Sequence, residues 1–221
     1  MDIRDRLAVL RDAAADLRYL LNRGYNRSSA LRLIGDRYQL SKAERSMLFR
    51  SVFSDEEAAV ISSKMIGPEK LRGEELFVDG FNVLNTVEAI LRGEYLVLCD
   101  DGVLRDFSEI HSGYKLSELT AQALGHILVF LSNSGTRRVE IIFESQISRS
   151  GEVAGLTRRM LEAAGIEGTA KTSKTVDSTL IKSGKMVATS DSVILLRCRL
   201  FVDIPQCLNL AKDTQIISLK T

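Results

Sequence analysis

Apolar residues recur at near-helical spacing over residues 5–21, where Leu7, Leu10, Ala14, Leu17, Leu20 and Leu21 follow one another, and Gly24 then supplies a stop. A second helix is predicted from Ser28 or Ser29 through residue 38. A third begins at Ser41, whose Glu44 three residues on fits a capping box, and runs to residue 53. A fourth starts at Asp55 and ends before Gly67-Pro68. Residues 1–66 thus read as a small all-helical bundle.

From Glu74 the pattern changes to short apolar runs alternating with helical stretches. The runs predict strands at 76–78, 95–99, 139–143, 186–189, 200–204 and 215–219, and the stretches predict helices at 83–91, 117–132 and 151–164, with Gly165 ending the last. Strands that alternate with helices imply an α/β domain with a largely parallel sheet and helices on both faces, here over 74–221. The polar stretch 100–115 is long for a plain connection. Its His111, Tyr114 and Lys115 are candidates for contact with a substrate, a packing loop being the alternative.

Composition narrows the setting. An apolar fraction of 45% in 221 residues is ordinary for a folded chain. No apolar run approaches the ~20 residues of a membrane span, and the first residues are charged, so the chain is expected in the cytoplasm with no membrane partner. Cys99, Cys198 and Cys207 lack Cys-x-x-Cys spacing and lie apart from the histidines, which argues against zinc.

A net charge of +1 hides an uneven distribution: from Arg18 to Arg50 there are seven arginines and Lys42 against Asp36 and Glu44. Arginine's rigid donor fork suits phosphate, so this face of the bundle, Arg27 and Arg32 included, is a candidate nucleic-acid anchor. The plainer alternative is a solvated helical face that packs against the α/β domain or a second copy of the chain in a homodimer.

Several acids fall just beyond predicted strands. Asp79 follows Leu76-Phe77-Val78, Glu144 follows Ile141-Ile142-Phe143, Asp191 lies two residues beyond Val187-Ala188-Thr189, and Asp177 precedes a short helix near Ser178. Each has an ordinary reading, since Asp-Gly is a turn dipeptide, Asp177 and Asp191 suit helix caps, and Asn82 suits the cap of the helix that follows. Gathered at one sheet edge, however, they would raise one another's pKa and call for a hard divalent cation, Mg²⁺ or Mn²⁺. Such sites hydrolyse phosphodiesters, so the chemical reading is a nuclease with Asp79, Asp177 and Asp191 catalytic and Asp79, Glu144, Asp177 and Asp191 holding metal.

The segment Val78-Asp79-Gly80-Phe81-Asn82-Val83-Leu84 resembles the first motif of the PIN-like and NYN-type nucleases, a hydrophobic strand ending in Asp-Gly-aromatic-Asn. Val187-Ala188-Thr189-Ser190-Asp191 is similar to their late strand ending in Thr-Ser-Asp, and Val176-Asp177-Ser178-Thr179-Leu180-Ile181 stands where they place an acid opening a helix. The likeness spans roughly 74–219, and the helical head is similar to that of uncharacterised archaeal proteins which join one to such a domain. The resemblance implies that Asp79, Asp177 and Asp191 bind metal, that Asn82 and Ser190 orient metal or substrate, that Glu144 is a further acid, and that RNA is the substrate. Two positions depart from the pattern: Ile-Phe-Glu-Ser replaces a strand ending in Asp-Gly, and Ser178 stands where a second acid often neighbours the one at 177.

Two other readings compete. Leu96-Val97-Leu98-Cys99-Asp100-Asp101-Gly102-Val103-Leu104 resembles the first motif of haloacid-dehalogenase phosphatases, but Cys99 occupies the place of the nucleophilic aspartate that their chemistry requires. The other is a PIN-like module that binds RNA or a protein without cutting, because fold does not imply function.

Overall fold

In the computed structural model, residues 3–107, 114, 116–208 and 215–220 are described. In chain order the elements are α1 (Ile3–Asn22), α2 (Arg27–Arg37), α3 (Lys42–Ser51), α4 (Asp55–Ser62), a 3-10 turn (Pro68–Leu71), β1 (Glu75–Asp79), α5 (Gly80–Leu91), β2 (Leu96–Leu98) and β3 (Leu104–Asp106). There follow α6 (Glu118–Ser134), β4 (Arg138–Glu144), α7 (Ser150–Ala163), β5 (Gly168–Ser173), α8 (Val176–Ser183), β6 (Met186–Ala188), α9 (Ser192–Leu195), α10 (Ile204–Cys207) and β7 (Ile216–Ser218). The architecture is a parallel sheet flanked by helices, with an N-terminal helical segment. None of the described helices is long and apolar enough to cross a membrane.

The chain forms two compact units. One comprises Met1–Ser63, Tyr95–Phe107 and Gln215–Thr221; the other comprises Lys64–Glu94 and Ser108–Thr214. The helical segment therefore does not stand alone. It shares its unit with a small sheet of order β3-β2-β7, in which β2 pairs antiparallel with β3 and parallel with β7. The strands expected near 95–99 and 215–219 belong to this sheet and not to the larger one.

Within the first unit, α1 buries Leu10, Ala13, Ala14, Leu17 and Leu21, the stripe its spacing predicts, and ends at Gly24 in the left-handed region (φ 77°). Asn26 caps α2, its side chain accepting from the Ser29 amide; Ser28 and Ser29 lie inside the helix instead of capping it. Ser41 with Glu44, and Ser54 with Glu57, close reciprocal capping boxes at α3 and α4. Arg27 is turned inward: its guanidinium donates to the carbonyls of Phe49 and Val52 and to Glu57, and lies over the Phe53 ring. Its donors are committed to holding the ends of neighbouring helices, while Arg32 stays exposed.

The Asp-Asp-Gly segment after β2 is likewise structural. Asp100 takes a two-pronged bond from Arg18 (2.8 and 2.9 Å) and accepts the Phe53 amide. Asp101 binds both terminal nitrogens of Arg105 (2.8 and 2.6 Å), and both side chains are buried. The Cys99 thiol beside them is pushed up to about 12 by burial, which keeps it protonated and a poor nucleophile.

The second unit is built on a four-stranded sheet of order β5-β4-β1-β6, parallel throughout. Leu76, Val78, Val139, Ile141, Phe143 and Ala188 from its strands join Phe81, Leu84, Leu124, Ile127 and Leu161 from the helices in one core. Two elements differ from the sequence pattern. β5, Gly-Thr-Ala-Lys-Thr-Ser, has no apolar run because it is an edge strand that buries only Ala170. The strand expected over 200–204 is reduced to bridges made by Phe201, after which Asp203 caps α10. Tyr114 is buried, its hydroxyl bonded to Glu88 and Thr120, so it serves packing and is not open to a substrate. His111 and Lys115 lie outside the described residues.

Because the Asp101–Arg105 pair is buried, removing Asp101 takes from a buried guanidinium the carboxylate that bonds both its terminal nitrogens. Asp101→Ala should lower unfolding stability by about 3–5 kcal/mol in urea denaturation. A loss below ~1 kcal/mol, the value of a surface pair, would show that the pair is solvated.

Candidate functional site

Parallel strands put all their carboxyl ends on one edge, and at that edge each strand of the larger sheet is followed by an acid. β1 ends in Asp79 and β4 in Glu144; β6 leads through Thr189 and Ser190 to Asp191; β5 leads through Lys174 and Thr175 to Asp177 in the first turn of α8. Pairing sets their level: Asp79 stands opposite Ile142, two residues short of Glu144, and Val78 stands opposite Ala188, three short of Asp191.

The turn after Asp79 is tight. A Cβ at Gly80 would lie 2.5 Å from the Phe143 ring, so only glycine lets α5 begin at once. Phe143 stacks edge-on against Phe81 (5.1 Å between centroids), and Phe81 packs against Tyr114 (5.0 Å). This aromatic trio is the floor beneath the carboxyl edge.

Asp79, and not Asn82, is the cap of α5: its Oδ1 accepts the Asn82 amide at 3.4 Å. Asn82 is thereby free to reach across to the β6 loop, where its Oδ1 accepts both the amide and the hydroxyl of Ser190 (2.6 and 2.8 Å). Thr189, which the sequence quotes without a role, ties the acids together. Its hydroxyl donates to Asp79 Oδ2 (3.1 Å) and accepts the Asp191 amide (3.1 Å). Asp191 Oδ1 caps α9 through the amides of Val193 and Ile194. The capping role and the edge position are thus held by the same carboxylates.

Their electrostatics reflect the crowding. Burial, opposed by the Thr189 and Asn82 hydrogen bonds and reinforced by the charges of Asp191 and Asp177, pushes Asp79 up to about 7. Burial also raises Asp177, as do the charges of Asp191 and Glu144. All-oxygen donors crowded at one edge suit a hard divalent cation. Among the described residues, however, no three His, Cys, Asp or Glu side chains come close enough together to hold a metal ion. Arg27 and Arg32 belong to the other compact unit.

The region 68–207 matches the family described as a domain of unknown function (DUF5616), and residues 9–64 match the one described as a protein of unknown function (DUF434). The chain is also similar to an uncharacterized protein of Methanocaldococcus jannaschii, 37% identical over 183 residues that cover 83% of this chain and 87% of that protein. No solved structure matches.

The Asp79 shift carries a stability consequence. Its folded pKa, about 7, exceeds the ordinary 3.8, so the group favours folding below pH ~4 and that contribution is lost as pH rises through 7. In chelator, the stability of Asp79→Asn relative to wild type should be greater at pH 8 than at pH 5, by ~1 kcal/mol or more in thermal unfolding. The same difference at both pH values would mean that Asp79 titrates normally.

Proposed function

Since the chain belongs to the family of the domain of unknown function DUF5616, whose description assigns no activity, we propose from the edge itself that it is a cytoplasmic, metal-dependent ribonuclease. The observation that carries this is the delivery of one acid to the same edge by each of four parallel strands, with two of those acids raised by burial and by their neighbours' charge. The likeness of Asp79-Gly80-Phe81-Asn82 and Thr189-Ser190-Asp191 to PIN-like and NYN-type motifs supports it.

In this reading Asp79, Asp177, Asp191 and Glu144 would hold Mg²⁺ or Mn²⁺, which would supply an activated water and offset charge on the phosphodiester oxygens. Thr189 keeps Asp79 and the start of α9 in fixed relation. Asn82 and Ser190, bonded to each other, orient the amide nitrogen of Asn82 and the loop carrying Asp191. Gly80 lets the first turn of α5 sit against Phe143.

A second reading, a non-catalytic module that binds RNA or protein through the same fold, is favoured by one observation. The described acids do not close into a metal-holding trio.

The two readings part in a cleavage assay on single-stranded and structured RNA. The ribonuclease reading expects slow cleavage with Mn²⁺ or Mg²⁺, abolished by chelation, and a fall of roughly 100-fold or more in Asp79→Asn and in Asp191→Asn without loss of folded structure. Activity that survives both substitutions would place the chemistry elsewhere. No cleavage of any RNA or DNA would leave the binding module.

A further inference from the structure

The first compact unit exposes several large apolar side chains, and three of them fall on α1, its stop and α2. Tyr19 and Tyr25 are each 59% exposed, as is Leu33. The α1 stop brings the tyrosines to one place: the amides of Arg23, Gly24 and Tyr25 fold back onto the carbonyls of Tyr19, Leu20 and Leu21. The Arg23 guanidinium lies over the Tyr19 ring, 5.1 Å from its centre.

One turn earlier on α1, Asp16 sits on the same face as Tyr19, since residues three apart are neighbours on a helix. Asp16 accepts the Tyr38 hydroxyl at 2.8 Å and pairs with Arg37 at 3.5 Å. Arg37, 68% exposed, lies over the Tyr38 ring at 5.5 Å. Leu33 is four residues before Arg37 on α2 and shares its face. A continuous strip results, from Tyr25 through Arg23 and Tyr19 to Arg37, Tyr38 and Leu33, in which two tyrosine rings each carry a guanidinium. The acid within it, Asp16, is half-exposed and bonded to both Tyr38 and Arg37. Arg23, Arg32 and Lys42, exposed nearby in sequence, have no ion-pair partner among the described residues.

We propose that this strip binds single-stranded nucleic acid, the bases stacking on the tyrosines and arginine planes while the unpaired cations meet phosphate. Charge complementarity selects this occupant: Arg23, Arg32 and Lys42 are exposed cations without an ion pair among the described residues, in contrast to the inward-turned Arg18 and Arg27. Flat rings bearing guanidinium groups are sequence-tolerant stacking platforms, and every base has a face to offer when it is unpaired. A duplex hides those faces and meets only the charge. The choice of RNA over DNA rests on the ribonuclease reading; the strip itself does not.

The test uses the full chain in chelator with a labelled single-stranded RNA of about 12 nucleotides, read by fluorescence anisotropy. Tyr19→Ala and Tyr25→Ala should each weaken binding roughly 5- to 100-fold. Both sites are exposed, so thermal unfolding should not move. Arg23→Ala should reduce the slope of log affinity on log salt by about 0.7. The duplex of the same sequence should bind more weakly. Wild-type affinity in both tyrosine variants, equal binding of duplex, or no binding by the wild-type chain would overturn the proposal and leave the strip as a protein contact. Strip-dependent binding without cleavage of any substrate removes the enzyme reading alone, whereas cleavage with strip-independent binding removes the strip alone.

Discussion

β1 is paired in parallel on both sides, with β4 and with β6, and most of what is distinctive about the molecule follows from that arrangement. Parallel pairing leaves the carboxyl ends of neighbouring strands on one side, and the helices needed to return the chain cover the faces. An acid placed just past each strand is therefore brought to a common edge without any direct contact between acids being required. Local packing then sets the spacing. With Phe143 resting where a Cβ at residue 80 would stand, α5 starts immediately after Asp79, and its first turn can send Asn82 toward Ser190.

The acids illustrate how ordinary and chemical roles coexist. Asp79 and Asp191 are helix caps, each accepting amide hydrogens at the start of a helix, and a cap is a common use for aspartate. A capping bond stabilises the ionised form and pulls a pKa down, yet Asp79 rises, because burial and the neighbouring charges outweigh two hydrogen bonds. A carboxylate that gains two donors and still resists ionisation is held back chiefly by its burial, with the neighbouring acids adding to the effect.

The arginines divide into two classes. Arg18, Arg27 and Arg105 are turned into the first unit, where they satisfy carboxylates and carbonyls, and Arg27 and Arg105 lie over the Phe53 ring. Arg23 and Arg37 lie outside, on tyrosine rings. Guanidinium groups serve both ends because their planar fork bonds in several directions and stacks on aromatic faces. A basic excess counted along the chain cannot separate the two classes.

By itself the sequence determined the helical start, the α/β alternation, the strand-end positions of Asp79, Glu144 and Asp191, and the place of Asp177 at the start of a helix, since periodicity and the short apolar runs of β1, β4 and β6 are local signals. It did not reveal β5, whose burial comes from its neighbour and not from its own residues, or the division of the strands between two sheets, which depends on pairing between segments more than 100 residues apart, as in Leu96 with Ile216. Cys99 already set Asp100-Asp101 apart from a phosphatase motif, but the structural work of the two acids, on Arg18 and on the buried Arg105, was not legible in the sequence. The role of Thr189, the inward turn of Arg27 and the strip of tyrosines also belong to tertiary structure. Which donor a side chain finds, and which face is left to solvent, are properties of neighbours brought together only when the chain folds.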